Sequence, residues 1–171
     1  MGYVVIEEVS GGASFEYLRK VRFSDTDCTG RIFFPRYVEW VDEAVSEYLA
    51  SKGILFDERG ALIVNGSPVD WTVVTGEYWC RMLKPLKMND LLTIRVWVER
   101  IGNSSMTFGG EVLKEGEVAA LARITYVCVS ASNLRPVPLP DLLKGVLAAI
   151  LREGERQGQP LSQGFAEGSR G

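Results

Sequence analysis

The order of the predicted elements constrains the fold of this chain more than any other feature of the sequence. Strand-like sequence at about residues 16–24 precedes one long amphipathic segment, and four further strand-like segments follow it. These later strands cover about residues 71–82, 91–101, 105–114 and 117–130. Short turns such as Gly102-Asn103-Ser104 join them, and such turns favour antiparallel pairing because parallel strands need long crossovers. The order therefore predicts an α+β domain in which one long helix covers one face of an antiparallel sheet.

The long amphipathic segment is predicted to be a helix over about residues 35–52. Pro35 suits its first position, where a missing backbone N–H costs nothing, and Gly53 suits its end. Its apolar residues recur at helical spacing and form one stripe: Val38, Val41, Val45, Tyr48 and Leu49. Residues 54–70 are interpreted as a connection, and Gly109-Gly110 within a later strand indicates a bulge or a close backbone approach.

A second helix is predicted to begin at Asp141 and to end at Gly154. The sequence after it is rich in Gly, Gln and Ser and has no periodicity. We therefore expect one domain over residues 1–153 and a flexible C-terminal tail over residues 154–171.

The chain contains no histidine, and this absence excludes several kinds of chemistry. Ser-His-Asp and Cys-His catalysis both need an imidazole base, so acid–base work must fall to other side chains. The net charge of −3 argues against nucleic-acid binding, and no apolar run approaches the length of a membrane span. The three cysteines form no closely spaced pair, which fits a reducing, cytoplasmic location better than a disulfide or zinc framework.

The segment that best fits a reactive site runs from Asp25 to Pro35. It places two carboxylates, Asp25 and Asp27, shortly before the predicted helix start. A helix N-terminus offers free N–H groups and partial positive charge, which can polarise a carbonyl. A carboxylate facing such a site can attack the carbonyl or activate water. Spacing alone leaves a second interpretation open, because Asp27-Cys28-Thr29-Gly30 is also typical of a type I turn.

Residues 25–44, read as DTDCTGRIFFPRYVEWVDEA, resemble the signature of the hot-dog acyl-CoA thioesterases, particularly the hydroxybenzoyl-CoA branch. The resemblance extends over about residues 16–135 and includes SSMTF at 104–108. It implies a hot-dog fold, in which an antiparallel sheet wraps around one long central helix, here with an added C-terminal helix. It also implies hydrolysis of an acyl- or aryl-CoA thioester without a metal or other cofactor. Two or four copies of the chain are then expected to associate, with active sites between paired sheets.

The same resemblance assigns roles to individual residues. It places the catalytic carboxylate, as nucleophile or general base, at Asp27, the motif glycine at Gly30 and the carbonyl-polarising N–H at Phe34. Tyr37 falls among the substrate-binding residues. Two alternatives remain: an acyl-carrier-protein thioesterase, which should carry a docking patch for an acidic partner, and a non-catalytic module that binds acyl-CoA. Cys28 has no histidine to activate it and is expected to be a small buried residue.

Asp42 and a group of polar residues are further candidates for substrate binding. At 100° per residue Asp42 lies on the border of the apolar stripe, where it is either an acceptor for a substrate hydroxyl or an ordinary boundary residue. Near the strand ends, cations and hydroxyls are candidate contacts for the phosphates and nucleotide of CoA: Lys84, Arg100, Ser104 and Ser105. Lys84 belongs to a basic cluster that also fits an ordinary solvated rim.

Overall fold

The structure is a computed structural model that describes residues 14–156. Its main element is a five-stranded antiparallel sheet in the order β1-β6-β7-β8-β5. The strands are β1 (Ser14–Lys20), β5 (Trp71–Met82), β6 (Leu91–Ile101), β7 (Ser105–Lys114) and β8 (Glu117–Ser130). The first strand ends four residues earlier than expected, because Phe23–Asp25 form a short 3-10 helix. The four later strands are confirmed.

Helix α1 (Pro35–Ser51) packs across the inner face of this sheet, as predicted. Its buried side chains meet those of the central strands and form the core, and four of the five predicted stripe residues are among them. Val38 is the exception and is only half-buried, whereas Tyr37, Trp40 and Ala44 are buried in addition. The strand pairing is regular at Gly109 and Gly110, which pair with Trp97 and Val96 without a register shift. The bulge interpretation is therefore wrong and the close approach is correct: a Cβ built on Gly110 would lie 3.1 Å from the Val41 side chain of α1.

The segment interpreted as a connection forms a small second sheet. It contains β2 (Ile54–Phe56), β3 (Leu62–Val64) and β4 (Ser67–Pro68), paired antiparallel in that order. Strands of two or three residues are too short to show a period, so hydrophobic patterning alone did not reveal them.

Helix α2 (Asp141–Arg156) is longer than predicted and contains Gly154. A single glycine costs a helix only about 1 kcal/mol, and the next proline comes several residues later, so Gly154 is no effective stop. The predicted domain boundary at 153/154 thus falls inside this helix, and residues 157–171 of the predicted tail lie outside the described residues. No helix in the described range is long and apolar enough to cross a membrane.

Candidate active site

The candidate loop forms a tight hairpin with Asp27 at its tip. The Phe33 N–H donates to the Asp25 carbonyl at 2.9 Å, and the Asp27 N–H donates to the Arg31 carbonyl at 2.8 Å. The Gly30 N–H then closes the turn on the Asp27 carbonyl at 3.0 Å, with Gly30 in the left-handed region at φ +75°. The turn interpretation of this segment is therefore correct, and Gly30 has a clear conformational role in it.

The Asp27 carboxylate lies exposed at this tip and is held on one side only. Its Oδ1 accepts the Thr29 hydroxyl at 2.6 Å and the Thr29 N–H at 2.7 Å. These two hydrogen bonds favour the charged form and hold the pKa of Asp27 below its ordinary value. Within the described part of the chain, Oδ2 has no hydrogen-bond partner. Cys28 beside it is exposed, so the expectation of a buried cysteine is wrong.

The second leg of the hairpin leads directly into the start of α1. Phe34 is the N-cap residue and Pro35 is the first helical residue. The N–H groups of Arg36 and Tyr37 turn back onto the carbonyls of Phe33 and Phe34, at 2.8 and 3.3 Å. Among the described residues, none accepts the Phe34 N–H, which thus stands at the positive end of the helix dipole without a partner. A free carboxylate oxygen and a free N–H donor are in this way carried by a single hairpin.

A cleft of about 420 Å³ begins at this helix start. It lies between the Arg31–Phe34 segment and the loop after β5, and its lining includes Phe34, Tyr37 and Lys84. Burial raises the pKa of Tyr37 to about 12, so its hydroxyl stays protonated. Lys84 is paired with Glu117 at 2.5 Å at the rim. Asp27 is not among the residues that line this cleft.

Asp42 lines a different, mostly apolar pocket of about 440 Å³. The pocket lies between the second half of α1, the small sheet and the first half of β5. The Tyr126 hydroxyl donates to Asp42 Oδ1 at 2.5 Å, and burial together with this carboxylate raises the pKa of Tyr126. The interpretation of Asp42 as an ordinary boundary residue is incomplete, because its partner is a buried tyrosine 84 positions away. The pattern of residues along the sequence did not indicate that Tyr126 would contact Asp42.

Arg100, Ser104 and Ser105 lie at the other end of the main sheet. The candidate hairpin follows Lys20, which pairs with Leu91 at the start of β6, whereas Ser105 begins β7 beside the end of β6. The eleven residues of β6 separate these ends by about 33 Å at 3.3 Å per residue. One chain therefore does not bring these residues to Asp27, and their contact with CoA stays a prediction. Among the described residues, no cluster of three or more His, Cys, Asp or Glu side chains is placed to hold a metal ion.

One long helix packed against a five-stranded antiparallel sheet is the arrangement of the hot-dog fold. The model of the Thioesterase-like superfamily matches residues 21–149, and the chain belongs to that family. Both the expected fold and the expected enzyme class are confirmed.

Individual relatives are consistent with this assignment. The 1,4-dihydroxy-2-naphthoyl-CoA hydrolase of Thermosynechococcus vestitus is 30% identical over 139 residues, covering 81% of this chain and 91% of the relative. The acyl-CoA thioesterase YbgC of Haemophilus influenzae is 22% identical over 135 residues, with coverages of 76% and 91%. The solved structure of a gentisyl-coenzyme A thioesterase has a TM-score of 0.64 at 26% identity, covering 75% of this chain and 98% of that one.

Proposed function

We propose that this protein hydrolyses acyl- or aryl-CoA thioesters, with Asp27 as the reacting carboxylate and the Phe34 N–H as the donor to the thioester oxygen. The observation that carries the proposal is the hairpin that holds both groups. It leaves Asp27 Oδ2 and the Phe34 N–H without partners in the described chain, one at its tip and one where it meets α1. The chain's membership of a thioesterase family and the names of its relatives support the reaction.

Two routes use these groups. In the first, Asp27 Oδ2 attacks the thioester carbonyl carbon, the C–S bond breaks, CoA leaves as the thiolate, and water then hydrolyses the mixed anhydride. In the second, Asp27 takes a proton from a water molecule whose oxygen attacks the same carbon, and the C–S bond then breaks with CoA leaving as the thiolate. In both, negative charge develops on the carbonyl oxygen, where a preorganised N–H donor at a helix start stabilises it. Neither route needs a metal or redox cofactor.

The direct test is hydrolysis of a panel of benzoyl-, hydroxybenzoyl- and short- to long-chain acyl-CoAs, followed by loss of thioester absorbance. We expect Asp27→Asn to reduce kcat by about 100-fold or more, because a lost catalytic group typically costs two to four powers of ten. Turnover that is unchanged in Asp27→Asn would place the active site elsewhere. Activity on none of these CoA thioesters would favour the carrier-protein thioesterase or the non-catalytic module.

The chain supplies a matched control for this substitution. Asp57 opens a second turn of the same kind, in which Oδ1 accepts the Arg59 N–H at 2.9 Å and Gly60 lies at φ +76°. The Gly60 N–H closes that turn on the Asp57 carbonyl at 3.0 Å, as Gly30 does on Asp27. No helix start follows it, because it connects β2 and β3. Asp57→Asn should therefore leave kcat unchanged, and an equal loss in both variants would point to general destabilisation.

Asp42 is proposed to select substrates that carry an aryl hydroxyl group. The Tyr126 hydroxyl occupies Oδ1 and fixes the carboxylate at the wall of an apolar pocket, where Oδ2 remains for a substrate donor. The 30% identical relative is named for a dihydroxynaphthoyl substrate, which fits such a pocket chemically. Asp42→Ala should reduce the preference for hydroxybenzoyl- over benzoyl-CoA by about 10-fold, the value of one or two hydrogen bonds. An unchanged preference would remove this role from Asp42.

A pair of subunits is proposed to complete the site. Asp42 lies eight residues beyond Phe34, or about 12 Å along α1, and lines a pocket separate from the cleft at Phe34. The pocket adjoins the first half of the edge strand β5, and the cleft adjoins its end. Antiparallel pairing of β5 with β5 of a second copy would set the pocket of one subunit beside the cleft of the other. It would also direct Ser104 and Ser105 of one copy toward the hairpin of its partner.

A further inference from the structure

Asp25, the first carboxylate of the hairpin, is buried and makes contacts to three other residues. Its side chain is 1% exposed. Oδ2 accepts the Arg22 N–H at 2.8 Å, while Oδ1 lies 3.4 Å from Arg19 Nη2 and 3.6 Å from Arg36 Nε. A buried carboxylate is stable only when charges and donors surround it, and Asp25 has both.

The two arginines extend this contact into the neighbouring elements. Arg19 of β1 also pairs with Glu43 of α1 at 2.5 Å, and its guanidinium lies 5.5 Å from the centre of the Trp40 ring. Arg36 of α1 donates to the Ser24 carbonyl at 3.0 Å and pairs with Glu39. The result is an alternating row of charges that joins β1, the hairpin and the first turns of α1. We call it the Asp25 network, consisting of Glu43, Arg19, Asp25, Arg36 and Glu39.

This network is not needed to form the turn itself. The second turn, at Asp57, has the same backbone hydrogen bonds, and its residue corresponding to Asp25 is the exposed Leu55. Leu55 pairs with Ile63 across that hairpin, just as the Asp25 carbonyl accepts the Phe33 N–H. An Asp-x-x-Gly turn therefore closes without a buried carboxylate two residues before it. What the Asp25 side chain adds is attachment of the hairpin to the start of α1.

We propose that Asp25 is a positioning residue that holds Asp27 in register with the Phe34 N–H. Asp25 lies two residues before Asp27 on one leg, and its carbonyl accepts the N–H of the residue before Phe34 on the other. Its carboxylate forms an ion pair with Arg36 in the first helical turn, at 3.6 Å. Movement of the hairpin relative to the helix would separate the two reacting groups. Displacements of about 1 Å between catalytic groups can cost 100-fold in rate. This inference rests on the function proposed above for Asp27 and Phe34.

The test is Asp25→Asn, which keeps the size of the side chain and removes the charge that the two arginines share. We expect kcat to fall about 10- to 100-fold while KM changes by less than about threefold, because positioning acts in the transition state and not on CoA binding. Each variant is assayed at a temperature where circular dichroism shows it folded. Glu99→Gln is the control, since it removes a paired carboxylate, bound to Arg123 at 2.5 Å, from the outer face of the sheet. It should leave both constants unchanged.

Arg36→Gln provides a second measurement from a more exposed position, and it decides the matter if Asp25→Asn does not fold. It removes both the Asp25 contact and the hydrogen bond to Ser24, and should lower kcat in the same way. A folded variant that keeps the wild-type kcat, whether or not its KM changes, would overturn the assignment of Asp25 as a positioning residue. If Asp27→Asn is inactive in the same assay, such a result would contradict only the role proposed for Asp25. If Asp27→Asn is active, the proposed function itself fails.

Discussion

At the scale of single residues, the same turn occurs twice in this chain with different surroundings. Asp27 and Asp57 both open Asp-x-x-Gly turns in which a carboxylate oxygen accepts backbone N–H groups. Only the first turn runs into a helix start with a free N–H. The local Asp-x-x-Gly motif therefore determines the conformation of the loop. The element that follows the loop determines whether an N–H donor lies near the carboxylate.

Thr29 should control the acid side of the pH–rate profile. Its hydroxyl is the main cause that holds the pKa of Asp27 below the ordinary value, and both proposed routes need the ionised carboxylate. In Thr29→Val the pKa of Asp27 should rise toward the ordinary value, so the acid limb of kcat should move to higher pH. The measurement is kcat between about pH 3 and pH 6, near the ordinary Asp value. A limb at the same pH in both proteins would mean that another group governs it.

Gly30 should matter for both stability and turnover. At φ +75° an alanine costs about 1–2 kcal/mol, although no atom lies within 4 Å of the added Cβ. Gly60 has the same conformation and the same open space, so Gly60→Ala should lose similar stability. Only Gly30→Ala should also lower kcat, since relief of the strain shifts Asp27. Urea unfolding and the thioester assay compare the two, and equal kcat values would separate hairpin geometry from catalysis.

At the scale of elements, α1 packs against the sheet at Gly110, a position that has no side chain. A Cβ added at Gly110 would lie 3.1 Å from the Val41 side chain, which is closer than an ordinary van der Waals contact. Gly110→Ala should therefore push α1 from the sheet and destabilise the protein by about 1–3 kcal/mol, as overpacking does. In α2 the same substitution at Gly145 meets open space and should stabilise the helix by up to about 1 kcal/mol. Opposite shifts in urea midpoint are the expected result, and shifts of the same sign would contradict this packing.

At the scale of the whole molecule, we expect only one of the two edge strands of the sheet, β5, to pair with a second copy of the chain. Val74 on β5 and Leu18 on β1 are similarly exposed, at 41% and 44%, and each lies on an edge strand. If β5 pairs with a second copy, Val74→Lys should weaken the dimer and lower turnover, because lysine on an edge strand opposes pairing. Leu18→Lys should do neither. Sedimentation velocity and the thioester assay test this, and a fully active wild-type monomer would exclude the shared site.

The sequence by itself determined the fold class, the long helix, the four later strands and the turn at Asp27. These depend on short-range causes: hydrophobic period, proline and glycine geometry, and the few connections that tight turns allow. It did not reveal the short strands β2 to β4 or the true end of α2, because two or three residues show no period and one glycine is a weak stop.

Only the tertiary structure decided which distant residues meet. The Tyr126 hydroxyl contacts Asp42. Asp25 lies between Arg19 and Arg36. Within one chain, Ser104 and Ser105 lie far from the hairpin. Each of these relations depends on the register between strands and on where α1 crosses the sheet. The packing of the whole core sets both quantities, and no local pattern of residues encodes them.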